Sequence, residues 1–228
     1  MKCRHTRKAS NAIFSSCLLL ISIFLTGCMD LASNESKNKQ AALKKISYRS
    51  GQVYTMRGLG GVFSRGMNRL EDTLENDYHI RTSSTIWYKF NDLSNFIIKN
   101  HESKTLQGPI ILIGHSLGAN EQIKVAQKLA RANIPVALLM TIDAVAPVRV
   151  PPNVEQVFNI YKPGFVPMFS GLKLIAIDRK QTSIDNFNVT AMKDVSVNHF
   201  TIDKNNKIQK MMLDKVLATL NIADKKHK

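Results

Sequence analysis

The chain has 228 residues, with 32 Lys and Arg against 17 Asp and Glu, and a formal charge of +15. That length suits one domain with a sizeable core, and three cysteines, two of them within the first 20 residues, exclude a disulfide-stapled scaffold. A balance this basic points to an anionic partner, either nucleic acid or lipid head groups.

Residues 1–27 read as a leader rather than as fold. Lys2, Arg4, Arg7 and Lys8 precede an apolar stretch from Ala12 to Leu25, which is shorter than the ~20 residues a membrane span needs. The stretch ends in Leu25-Thr26-Gly27-Cys28, which resembles the lipobox of bacterial lipoproteins. The resemblance implies cleavage before Cys28 and acylation of that cysteine; the competing reading is a retained signal anchor. Cleavage would discard Cys3 and Cys17 and leave no thiol to pair with Cys28. The leader also takes four positive charges and no acid with it, lowering +15 to +11. An exported protein rarely meets nucleic acid. The expected partner is therefore the membrane, through lipidated Cys28 and the basic surface. Met29 rather than Asp follows Cys28, which favours the outer membrane at its periplasmic face. Residues 28–47 are polar and lysine-rich and read as a tether, leaving 48–228 for the globular domain.

Within the domain, Gln52–Met56 reads as a buried strand closed by the glycine turn Arg57-Gly58-Leu59-Gly60-Gly61. Met67–Leu74 has helical spacing, Thr85–Tyr88 is strand-like, and Leu93–Ile98 suggests a short helix. The run Ile110–Ile113 is a buried strand, followed by a helix from Ser116 to about Ala132 with Ala119, Ile123, Ala126 and Leu129 on one face. Pro135–Ile142, Val154–Tyr161, Leu172–Ile177 and Val195–Val197 are further strand candidates, and a helix from about Asn205 to Asn221 closes the chain. The late lysines, Lys204, Lys207, Lys210, Lys215, Lys225, Lys226 and Lys228, read as a solvated helix face and a frayed tail. Strands alternating with helices predict an α/β class with a mostly parallel central sheet and helices on both faces. Reactive groups in such sheets gather at the carboxyl ends of the strands.

One segment carries chemistry. Gly114-His115-Ser116-Leu117-Gly118 follows a buried strand and opens a helix. This is the G-x-S-x-G turn that raises a serine hydroxyl above a sheet and places backbone N–H groups around it. A serine hydroxyl needs a base, and imidazole titrates in the right range. Of six histidines, His5 is in the leader, His227 in the tail, and His79 and His101 precede the turn. The side chain of His115 is expected to point away from the hydroxyl, which leaves His199, after the last expected strand. The acid that orients His199 would be Asp143, closing the most apolar strand, or Asp178, closing Leu174–Ile177; Asp185 and Asp194 fall in polar loops.

Taken together, these residues resemble an α/β-hydrolase of the lipase/esterase type. The resemblance rests on Gly-His-Ser-Leu-Gly-Ala at 114–119, Ile142-Asp143 followed by Pro147, and Asn198-His199-Phe200-Thr201-Ile202. It spans about Gln52 to Asn221 and implies a minimal fold with no large lid. It implies a Ser116–His199–Asp143 triad that cleaves esters or thioesters through an acyl-enzyme, with the amides of Leu59 and Leu117 as oxyanion donors. Arg57 stands where such lipases often carry histidine. Two other classes share these features: a non-catalytic envelope binding protein on the same fold, and an acyltransferase. No cofactor is expected, and no His/Cys/Asp grouping has metal-ligand spacing.

Overall fold

The computed structural model describes residues 48–59, 61, 64–105 and 108–221. The leader, Cys28, the tether and the last lysines lie outside the described residues. Among the described residues eight strands form, β1 Arg49–Arg57, β2 Ile80–Ile86, β3 Ile110–His115, β4 Val136–Ile142, β5 Arg149–Val150, β6 Val154–Tyr161, β7 Ile175–Ala176 and β8 Ser183–Asn188. The helices are α1 Arg65–Asn76, α2 Phe90–Glu102, α3 Leu117–Arg131 and α4 Asn206–Thr219, with short 3₁₀ turns between elements.

Six strands make one sheet in the order β2-β1-β3-β4-β6-β8, and every neighbouring pair is parallel. This is the parallel α/β architecture expected from the sequence. Central strands of such a sheet are covered on both faces, so they read as unbroken apolar runs. The run Ile110-Ile111-Leu112-Ile113 shows how it is shared out. Ile111 and Ile113 pack with Leu70 and Leu74 of α1 and with Ile208, Met212 and Val216 of α4. Ile110 and Leu112 point to the opposite face, with Leu93 and Ile97 of α2 and Ile123, Ala126 and Leu129 of α3. Two separate cores therefore clamp the sheet, and their common frame fixes where each strand ends.

The edges depart from the sequence reading. Thr85–Tyr88 is not a strand of its own. The strand is β2, seven residues from Ile80, and Trp87–Lys89 already turns into α2. As an edge strand, β2 exposes Arg81 and Ser83 and lacks the unbroken apolar run of a central strand. The other edge, β8, was not expected at all, because Ser183-Ile184-Asp185-Asn186-Phe187-Asn188 is half polar; Asp185 thus lies in a strand, not in a loop. Leu172–Ile177 contributes only β7, which pairs with β5 in a separate two-stranded sheet. There the Asn186 side chain takes the place of a strand partner, accepting from the Leu174 N–H and donating to the Leu174 carbonyl. Val195–Val197 forms no strand, although Val197 is buried against α4 and its neighbours.

Candidate active site

Ser116 occupies the single residue between β3 and α3. Its backbone has φ 59° and ψ −127°, a conformation that L side chains adopt only when the surroundings impose it. Those surroundings are tight. A Cβ on Gly118 would overlap the carbonyl of Met56, and one on Gly114 would meet the Gly118 carbonyl. The Ser116 N–H donates to Ile142 O at 2.9 Å, tying the turn to the end of β4. The serine is 8 % exposed.

One strand end and one loop bring in its neighbours. His199, from the loop before α4, is within 2.8 Å of Ser116 Oγ through Nε2 and within 2.9 Å of Asp143 Oδ2 through Nδ1. A carboxylate only accepts, so Nδ1 carries the proton, Nε2 is an acceptor, and the serine hydroxyl donates to it. Asp143 follows β4 directly, with φ 52°, and is fully buried. Its second oxygen, Oδ1, accepts from the Lys162 N–H at 2.7 Å. A Cβ on Gly171 would fall on that same oxygen. The rival, Asp178, is elsewhere: its carboxylate accepts from Lys180 N at 2.8 Å and Gln181 Nε2 at 3.2 Å in its own surface turn. Asp194 is exposed and pairs with Lys207.

The glycine turn after β1 lies directly over the serine. A Cβ on Gly58 would sit 2.9 Å from both His115 O and Ser116 Cβ, and 3.3 Å from Ser116 Oγ. Leu59, the next residue, is exposed. Leu117 opens α3, where the first N–H groups have no acceptor within the helix. The turn that carries Leu59 and the first turn of α3 thus both adjoin the serine.

One connection was not legible in the sequence. His115 does turn away from the hydroxyl, and both its ring nitrogens are engaged: Nε2 with the His199 main-chain carbonyl at 2.9 Å, and Nδ1 with Ser64 Oγ at 2.8 Å. The carbonyl only accepts, so Nε2–H donates; Ser64 then donates to Nδ1 and accepts from the Gly58 N–H at 3.0 Å. A single chain of hydrogen bonds therefore runs from the glycine turn through Ser64 and His115 to the backbone of His199. Burial pushes the His115 pKa down to about 3, so the ring stays neutral and the chain intact at physiological pH. Ser64 lies 51 residues from His115, and nothing in its sequence context marks it.

No family model and no curated protein matches this sequence. Among solved structures, the chain is similar to the type II thioesterase BorB from the borrelidin biosynthetic cluster, with a TM-score of 0.47 and 11% identity, over 79% of this chain and 95% of that one. Human thioesterase 2 matches with a TM-score of 0.46 and 11% identity, over 76% and 97% of the two chains. A cutinase-like protein from Cryptococcus sp. matches with a TM-score of 0.42 and 14% identity, over 78% and 98%. At this distance the chemistry of the site has to be argued from its own atoms.

Proposed function

We propose that this protein is a serine hydrolase that cleaves carboxylic esters or thioesters. The observation that carries the reading is the unbroken relay from Ser116 Oγ through the His199 imidazole to Asp143, all three buried and correctly polarised. Ser116 Oγ attacks the acyl carbonyl while His199 Nε2 takes its proton. The carbonyl oxygen becomes an oxyanion held by the amides of Leu59 and Leu117. His199 then protonates the departing alcohol or thiol, leaving the acyl group on Ser116. Water, deprotonated by the same imidazole, releases the acid and restores the serine. Asp143 keeps Nδ1 protonated throughout and offsets the imidazolium charge.

The decisive experiment is covalent labelling by a fluorophosphonate. The parent protein reacts and Ser116→Ala does not, at equal folded content by circular dichroism; equal labelling of both removes the nucleophile assignment. A panel of p-nitrophenyl esters of graded chain length then defines the acyl preference.

The same proposal places the enzyme in the cell envelope, held by lipid on Cys28 and facing the periplasm. Support comes from the basic n-region, the short apolar stretch and the Leu-Thr-Gly-Cys ending. Cys28→Ser should abolish incorporation of radiolabelled palmitate in a bacterial host; undiminished incorporation argues for an anchor elsewhere.

A further inference from the structure

The segment joining β6 to β7 is a self-closed loop with an apolar tip. Its neck is pinned by the Gly171 N–H to Lys162 O bond at 2.8 Å, and its waist by the Gly164 N–H to Ser170 Oγ bond at 2.8 Å. Between those ties Phe165, Val166, Met168 and Phe169 are all exposed, Phe165 completely. Isolated apolar side chains are ordinary on a protein surface, but four within five positions mark a contact surface.

This surface is continuous with the candidate active site. The ring of Phe169 stands edge-on to His199 at 5.6 Å and against Phe200 at 5.2 Å. Phe200 is itself exposed. Below, the root of the loop is fixed by the Lys162 N–H on Asp143. Charge narrows the choice of occupant. From Gln156 to Ile177 the chain carries Lys162 and Lys173 and no acidic residue, within a protein of charge +15. A second copy of the chain would bring like charge against like. An apolar tip flanked by lysines instead matches a surface whose interior is hydrocarbon and whose face is anionic.

We propose that the Lys162–Gly171 loop docks the protein on an anionic lipid surface, and that the ester cleaved at Ser116 is an acyl lipid drawn from that surface. The docking half stands independently; the substrate half rests on the hydrolase reading above.

The test uses the full chain, whose sole tryptophan is Trp87. Phe165→Trp in a Trp87→Phe background puts one indole at the loop tip. Vesicles of equimolar phosphatidylglycerol and phosphatidylcholine with brominated acyl chains should shift its emission to the blue and quench it. Unbrominated vesicles should shift it without quenching. Unchanged emission overturns the docking, and equal quenching by purely zwitterionic vesicles overturns the anionic preference. Adding Ser116→Ala should leave the quenching intact while fluorophosphonate labelling disappears, which separates docking from chemistry. For the substrate half, the pair Phe165→Ser and Met168→Ser should slow hydrolysis of a long-chain fluorogenic ester embedded in vesicles by about tenfold or more. An undiminished rate overturns it. If the parent inserts but never labels, the hydrolase reading and the substrate half fall together while docking survives. If it labels but does not insert, the docking and the substrate half fall while the hydrolase reading survives.

Discussion

Replacing Gly58 by alanine tests whether the turn over the serine contributes to catalysis. The added methyl would lie 2.9 Å from His115 O and from Ser116 Cβ, where ordinary contacts begin at 3.4 Å. Neither neighbour can yield, because one is main chain and the other belongs to a turn locked by Gly114 and Gly118. The glycine turn has to retreat by about 0.5 Å, which is the tolerance within which a catalytic constellation still works. The Leu59 amide, the donor proposed above, moves with it, and removal of one oxyanion donor costs about 3 kcal/mol, or 10²- to 10³-fold in kcat. The methyl also stands 3.3 Å from Oγ, crowding the approach of substrate. Stopped-flow hydrolysis of p-nitrophenyl butyrate gives kcat and KM, and thermal unfolding reports whether the fold is intact. A variant of unchanged Tm whose kcat stays within about threefold of the parent (under 1 kcal/mol) would refute the role of this turn.

Other perturbations follow from the same geometry. Asp143→Asn should lower kcat by about 10⁴-fold, because an amide in place of the carboxylate favours the wrong imidazole tautomer, whereas Asp178→Asn should leave kcat nearly unchanged; the reverse order in an ester assay would reassign the acid. His115→Leu removes the bond to the His199 carbonyl and should lower kcat/KM by about 10- to 100-fold at pH 7.5, a loss typical of severed outer-shell support. His115→Gln, which retains a donor near Nε2, should recover most of that loss, and failure of glutamine to rescue would make the effect one of packing. The fold lowers the His115 pKa from 6.5 to about 3, so it favours the neutral ring. That contribution is complete above pH 6.5 and is lost on acidification towards pH 3, by about 1.4 kcal/mol per unit. Urea unfolding should therefore show the parent weakening relative to His115→Gln over that window. Asp203 has the opposite sign: burial raises its pKa from 3.8 to about 6, and Oδ1 finds no hydrogen-bond partner among the described residues. The fold favours its protonated form, so this contribution is fully present below pH 3.8 and lost as pH rises through 6, about 3 kcal/mol in all. The parent should lose that much relative to Asp203→Asn between pH 4 and 7; parallel pH profiles would refute it.

The elbow was legible because its signal is local: two glycines at fixed offsets from a serine, after four apolar residues that alternate between two cores. The choice of acid was legible only as a preference for Asp143 over Asp178. Asp143 and Asp178 both close apolar segments, and only the pairing of β4 inside the main sheet and β7 outside it separates them. Edge strands escaped for a related reason. β2 and β8 bury one side at most, so they lack the unbroken apolar run that reveals an interior strand of a parallel sheet. The Ser64–His115–His199 connection lies deeper still. It joins positions 51 and 84 residues apart through hydrogen bonds, and no spacing rule in a single sequence encodes a polar contact between loops.

Asp143 divides its two oxygens between different duties, one on the imidazole and one on the amide at the foot of the Lys162–Gly171 loop. Whatever pulls on the loop also tugs the group that orients the His199 ring. Landing on a surface and readiness to react are thus geared together by one carboxylate, and lengthening that loop would be felt as a slower enzyme even where the tip still found its target.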